Sequence, residues 1–259
     1  MAERKKKNRR SVSIFLDLCV VLLLGTACFS GWKLYRGLHE YSASASAYEQ
    51  IRHDTVTKKS ESSETEEVYI DFEALKEICP DIGGWISLKD SAIDYPFVYA
   101  PDNSFYLTHL FSGEYNKSGA VFVDAGNSRD FADRVTVLYA HHMKNGTMFA
   151  DVENYKDPAY YTSHREFDIY TEEGNYKLYP LAGYVTNGSQ NYVRFEFADD
   201  ADFCAYVQGF IDRSDFVSAE TFTADDKIVM LSTCSYDVAD GRYVLIGKLH
   251  EIRSDYGRK

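Results

Sequence analysis

The sequence predicts a mainly β fold with helices: a closed or nearly closed barrel of about eight short strands carrying one or two helical embellishments. Short β-type runs recur at Gly84–Leu88, Tyr95–Tyr99, Ala120–Val123, Val135–Ala140, Glu166–Tyr170, Asn175–Val185, Ile228–Ser232 and Tyr243–Leu249. Most are separated by turn-forming residues such as Asn127, Asn145-Gly146 and Glu173-Gly174-Asn175. One stretch, Asp199–Arg213, breaks the pattern and places Phe203, Tyr206, Val207 and Phe210 at helical spacing.

Taken in order, the chain opens with Arg4, Lys5, Lys6, Lys7, Arg9 and Arg10, followed by a mostly apolar segment from Ile14 to Trp32 with one acid, Asp17. At ~1.5 Å per residue such a segment spans roughly 29 Å, about one bilayer core. Basic residues on its short N-terminal side favour keeping that end in the cytoplasm. A cleaved signal peptide is a poor fit, because the small residues Ser42–Ala47 lie beyond Lys33, Arg36, His39 and Glu40. A lipoprotein signal ending at Cys28 is a poor fit too, because Gly25-Thr26-Ala27-Cys28 lacks a leucine at the expected position. The organisation expected is therefore a basic cytoplasmic tail at 1–11, a membrane anchor at 12–32, an extracellular stalk at 33–67 and a folded domain at 68–259. The stalk is rich in Ser, Ala, Glu, Thr and Lys. It is expected to be partly helical near the membrane and disordered around Lys58–Glu67.

Charge divides at the same boundary. The first 67 residues hold 11 basic and 9 acidic side chains, whereas residues 68–259 hold 17 and 31, a net charge of −14. Such an acidic domain argues against nucleic acid and against lying flat on an anionic bilayer. The odd, scarce complement of 5 cysteines implies no disulfide framework, although a Cys79–Cys204 pair outside the cell is left open.

In the folded domain, Asp71 caps a short helix through Ile78, closed by Pro80 and Gly83-Gly84. The candidate chemistry lies at three strand ends. Lys227–Leu231 leads into Ser232-Thr233-Cys234, Arg242 opens the next strand, and Val135–Ala140 runs into His141-His142. A thiol beside an imidazole and a guanidinium is the arrangement needed for nucleophilic acyl transfer with oxyanion support. Each residue also has a bland alternative: a buried strand thiol for Cys234, a solvated strand arginine for Arg242. His109 and His164 have no partner pattern. A metal site is not expected, since C-x-x-C and H-E-x-x-H spacings are absent.

Longer blocks carry a family likeness: LKEICPDIGGWISL (75–88), IDYPFVYAPDNSFYLTHLFSGEYNKSGAVFVD (93–124), VTVLYAHHMKNGTMFADVENY (135–155) and IVMLSTCSYDVADGRYVLIGKL (228–249). With the LSTC box and its later arginine, these resemble the sortases, cysteine transpeptidases of Gram-positive cell surfaces. The middle blocks and the helix before the cysteine strand are most similar to class B. The resemblance implies a closed eight-stranded barrel with an N-terminal helix and a helix inserted before the catalytic strand, and no cofactor.

It also implies a division of roles. Cys234 attacks a sorting-signal peptide of NPQTN, NPxTG or LPxTG type, and His141 serves as acid and then base. Arg242 holds the oxyanion or the substrate backbone. An amine of a peptidoglycan precursor or cross-bridge then resolves the thioacyl intermediate; a pilin lysine is the alternative acceptor. A non-catalytic anchored ectodomain is the third reading, and the intact Cys, His and Arg set speaks against it. Substrate contacts implied by the resemblance are Asn103, Leu107, Tyr139, Ser232, Thr233 and Tyr192. His141 is selected over His142 because the family's histidine directly follows a strand ending in Tyr-Gly or Tyr-Ala. Asp237 and Asp240 either orient Arg242 or solvate its loop.

Overall fold

The computed structural model describes residues 2–60 and 66–252. In chain order the elements are α1 (Ala2–Thr55), β1 (Val56–Ser60), β2 (Glu66–Ile70), α2 (Phe72–Ile78), β3 (Ile82–Leu88) and β4 (Asp94–Tyr99). A 3-10 turn (Phe105–Leu107), β5 (Val121–Val123), β6 (Val135–Tyr139), a 3-10 helix (Ala150–Lys156) and α3 (Pro158–Ser163) follow. β7 (Phe167–Tyr170), β8 (Asn175–Asn187), α4 (Asp200–Ile211), β9 (Lys227–Ser235) and β10 (Gly241–Ile252) complete the chain.

Two compact units divide after Ser46. The first is helical, and Leu18, Val21, Leu22, Leu23 and Leu24 all face outward from it. Among the described residues α1 is the one helix long and apolar enough to cross a bilayer. Near its apolar stretch, Lys33 sits over the Phe29 ring and Arg36 over Trp32.

The second unit begins at Ala47, well before the boundary expected at residue 68. Its first residues are core, not linker. Tyr48 is 4% exposed and Ile51 2%, and the Tyr48 hydroxyl donates to the Gly119 carbonyl at 2.9 Å. Arg52 pairs with the Asp94 carboxylate at 2.7 Å. Tyr48, Ile51 and Thr55 fall three and four apart, so one helical face buries all three despite the polar composition around them. Where disorder was expected over Lys58–Glu67, β1 and β2 form an antiparallel pair from Val56↔Ile70 to Ser60↔Glu66; residues 61–65 lie outside the described residues.

The eight predicted strands are β3–β10, and they close into a barrel in the order β10-β8-β7-β3-β4-β5-β6-β9. All pairings are antiparallel except β4–β5 and β6–β9. The expected helix before the cysteine strand is α4, with Phe203, Val207 and Phe210 buried beneath it. Asp71 caps α2 by accepting from the Ala74 amide at 3.0 Å.

The period of two along β9 and β10 divides their side chains between two cores. Val229, Leu231, Tyr243 and Leu245 belong to the barrel interior. Ile228, Met230, Val244 and Ile246 belong to the layer under α4. This double burial explains why Ile228–Leu231 is a continuous apolar run rather than an alternating one. Burial pushes the Cys79 thiol upward; Cys79 and Cys204 are both free.

Candidate active site

Strand alternation places the box residues. Beyond Met230 on the α4 face come Ser232 and then Cys234; beyond Leu231 in the interior comes Thr233. Thr233 is 2% exposed and donates its hydroxyl to the Ala140 carbonyl at 2.9 Å, which ties the box to the residue preceding His141. Near the far end of β9, Cys234 is half-buried rather than sealed in. Its cross-strand partner on β10 is Arg242. Directly opposed residues project to one face with their Cβ atoms ~5 Å apart. The thiol and the guanidinium therefore share one surface.

Arg242 is held by the Asp240 carboxylate at 3.0 Å and the Gly241 carbonyl at 2.9 Å. Asp240 thus orients the arginine, whereas Asp237 turns away to Lys156 at 2.6 Å. Tyr192, from the segment before α4, closes one side of the surface. Its hydroxyl lies 3.0 Å from Ser232 Oγ. Burial pushes the Tyr192 phenol upward, and the Ser232 hydrogen bond and the Arg242 charge oppose that shift.

On the other side, Tyr139 is the register partner of Ser232 across β6 and β9. The Tyr139 hydroxyl donates to Asp124 Oδ2 at 2.9 Å, and Asn103 donates to the same oxygen at 3.0 Å. Asn103 and Tyr139 are thus joined through a carboxylate that the sequence did not single out. Asp124 itself is 7% exposed and also accepts from the Gly126 amide at 2.8 Å.

His141 follows β6 with its ring against Gly119, and its Nε2 lies 2.7 Å from the Leu107 carbonyl. A carbonyl only accepts, so Nε2 carries the proton there. Leu107 thus meets the histidine through its backbone, while the residue remains 37% exposed. Among the described residues no hydrogen bond joins His141 to the Cys234 sulfur. The imidazole is kept near the site by the 3-10 turn, not by the thiol. His142 faces the opposite way, toward Glu153 at 2.7 Å.

No protein-family model matches the chain. Sortase B of Listeria monocytogenes is 32% identical over 231 residues, 88% of this chain and 94% of the relative. The chain belongs to the sortase B family. Sortase B of Staphylococcus aureus is 29% identical over 92% of this chain and 98% of the relative. Among solved structures, sortase B of Bacillus anthracis aligns with a TM-score of 0.73 and 31% identity over 83% of this chain and all of that one. The Staphylococcus aureus sortase B–substrate complex aligns with a TM-score of 0.67 and 31% identity, covering 70% and 85%. A sortase B solved with triglycine aligns equally well, with a TM-score of 0.67.

The chain is accordingly a cysteine transpeptidase acting on surface proteins, and its barrel with N-terminal and inserted helices is the sortase B fold. Sequence reasoning missed several residues that bond to or around the candidate site, namely Tyr48, Asp124, Glu153 and Lys156. None carries a local signal, because the contacts that tie each of them to the site include one with a distant part of the chain.

Proposed function

We propose that Cys234 is the nucleophile of a membrane-anchored transpeptidase. It cleaves a C-terminal sorting signal and passes the acyl group to a peptidoglycan amine. The observation that carries this reading is the Cys234–Arg242 cross-strand pair on one face, with Cys234 half-buried rather than sealed in.

The thiolate adds to the scissile carbonyl, and Arg242 stabilises the oxyanion that develops or holds the substrate backbone beside it. The tetrahedral adduct collapses as His141 protonates the departing amine, leaving a thioester on Cys234. An incoming amine attacks the thioester and gives its proton to His141, and the new amide forms as the Cys234 thiolate is released, which restores the starting protonation states. Asn103, Leu107, Tyr139, Ser232, Thr233 and Tyr192 form the surroundings of the signal peptide. Two of them act indirectly: Thr233 is turned inward and braces Ala140, and Asn103 is already engaged by Asp124. The sortase B complexes with a substrate and with triglycine support a peptide donor and an amine acceptor of this kind.

The anchor is residues 12–32 of α1, with the basic tail 1–11 in the cytoplasm and the barrel outside. The outward apolar face of α1 and the cation–aromatic pairs at Phe29 and Trp32 support it, since such residues favour the membrane interface. Residues 33–46 are then the stalk.

The test uses the full-length chain in detergent micelles with fluorogenic peptides of NPQTN, NPKTG and LPXTG type. Cys234→Ala should abolish cleavage. His141→Ala should lower turnover by ~100-fold or more, as loss of a general acid–base does. Cleavage by Cys234→Ala at the wild-type rate would overturn the reading.

A further inference from the structure

Behind the candidate thiol lies a polar cluster that these steps do not use. Glu153 projects from the 3-10 helix Ala150–Lys156, and its side chain is only 13% exposed. Its two carboxylate oxygens reach different segments. Oε2 lies 2.7 Å from Nδ1 of His142, and Oε1 accepts from the Ser235 hydroxyl at 2.5 Å. His142 directly follows His141, and Ser235 directly follows Cys234. His142 Nδ1 also lies 3.1 Å from the Cys234 carbonyl oxygen. Carboxylate and carbonyl both only accept, so Nδ1 carries a proton shared between them. Lys156 supplies the counter-charge: it pairs with Glu153 and reaches Asp237 at 2.6 Å.

The position of this cluster matters more than its strength. β6 and β9 run parallel, and their register ends at Tyr139↔Ser232. One more backbone hydrogen bond follows, from the Ala140 amide to the Ser232 carbonyl at 3.3 Å. His141 and Cys234 lie past that point, where the ladder no longer sets the separation of the two chains. What spans the gap is side chains: Thr233 to Ala140 on the near side, and on the far side the Glu153 cluster together with His142 against the Cys234 carbonyl and the Tyr236 hydroxyl, which donates to the His142 carbonyl at 3.0 Å. A low-exposure carboxylate with a cationic partner and two further donors is a stiff link, because charge-assisted hydrogen bonds are short and directional.

We propose that Glu153 is a positioning residue. It cross-links the segment bearing His141 to the segment bearing Cys234 and so sets the distance between imidazole and thiol. The inference rests on the roles given to those two residues under the proposed function. Glu153 touches neither substrate nor reacting atoms; it acts through His142 and Ser235. Misplacement of reacting groups by ~1 Å costs on the order of 100-fold in rate, so loss of the link should appear in kcat. The peptide itself is bound on the opposite face of β9, and KM should move little.

The experiment is steady-state cleavage of the best fluorogenic peptide by the full-length chain in micelles, with melting temperature recorded alongside. Glu153→Ala should lower kcat by ~10- to 100-fold and change KM by less than about twofold. Glu153→Gln retains the shape and an acceptor for His142, and should recover at least ~3-fold of that loss. A Glu153→Ala kcat within about twofold of wild type, or Glu153→Gln no better than Glu153→Ala, overturns the positioning role. Should Glu153→Ala fail to fold, His142→Gln and Ser235→Ala each remove one arm of the link. Their combined effect should then be smaller than the product of the single effects, because both arms meet on one carboxylate. Independent, multiplicative effects overturn the proposal. Loss of turnover in Cys234→Ala shows that the transpeptidase reading stands whatever Glu153 does. Turnover persisting in Cys234→Ala overturns that reading and this inference with it.

Discussion

Replacing Tyr48 tests whether the end of α1 is part of the catalytic domain or a tether leading to it. The side chain is 4% exposed, its ring meets Tyr95 edge-on at 5.0 Å between centroids, and it packs on Phe111 at 5.2 Å. Burial pushes its phenol far up, so it stays neutral and donates to the Gly119 carbonyl at 2.9 Å. Tyr48→Ala deletes a buried aromatic and leaves a cavity, a change costing ~3–5 kcal/mol. Tyr48→Phe keeps the ring and removes only the hydrogen bond, leaving the carbonyl without that donor, for ~1–2 kcal/mol. A domain of this size loses about 2–4 °C in Tm per kcal/mol, so the expected drops are roughly 6–20 °C for Tyr48→Ala and roughly 2–8 °C for Tyr48→Phe. The assay is thermal melting of the full-length chain in micelles, followed by near-ultraviolet circular dichroism. That signal reports tertiary packing around residues such as Trp85, which is 1% exposed, and is insensitive to helix in α1. A Tyr48→Ala melting temperature within about 2 °C of wild type would show that α1 ends before the domain begins, and the reasoning would fail.

Two further predictions concern the site and the acid side of stability. Gly119 has φ +62°, and a Cβ there would stand 2.6 Å from the Tyr106 carbonyl oxygen and 3.2 Å from His141 Cδ2. Gly119→Ala should therefore cost ~1–3 kcal/mol in strain and lower kcat by displacing the imidazole; an unaltered kcat in a peptide-cleavage assay would refute the contact. The Arg194 guanidinium holds the Asp202 carboxyl below the usual carboxylate range, with help from the Ala198 amide. A depressed folded-state value means the pair contributes stability above the ordinary carboxylate pKa of ~3.9, and loses it as pH falls through the lower folded value. Carbon-detected NMR titration should show the Asp202 midpoint rising in Arg194→Ala, and an unmoved midpoint would remove Arg194 as its cause.

Much of this molecule is legible without coordinates, because the signals are local. Alternation, turn residues and the helical spacing of Phe203, Tyr206, Val207 and Phe210 locate the eight barrel strands and α4. The Asp71 cap is legible from one acidic side chain before a short apolar run. The order in which the strands pair is not legible, since pairing is a contact between distant segments. The last turns of α1 and the β1–β2 pair are misread as linker for a related reason. Composition averages over Tyr48 and Ile51, which are buried, and over the Ser, Glu and Lys around them, which are not.

Residue order was enough to single out the candidate side chains: a thiol and a guanidinium opposed on neighbouring strands, and a histidine directly after a third. Period-two geometry then put Cys234, Ser232 and Arg242 on one face. What holds them there emerges only from tertiary contact. The Leu107 carbonyl on His141, Asp124 between Asn103 and Tyr139, and Glu153 between His142 and Ser235 all join residues at least fifteen positions apart or on unconnected elements, except for the near neighbours His142 and Glu153. Hydrogen bonds of that kind depend on where folding brings backbone and carboxylate together, and no local pattern of residues encodes that meeting.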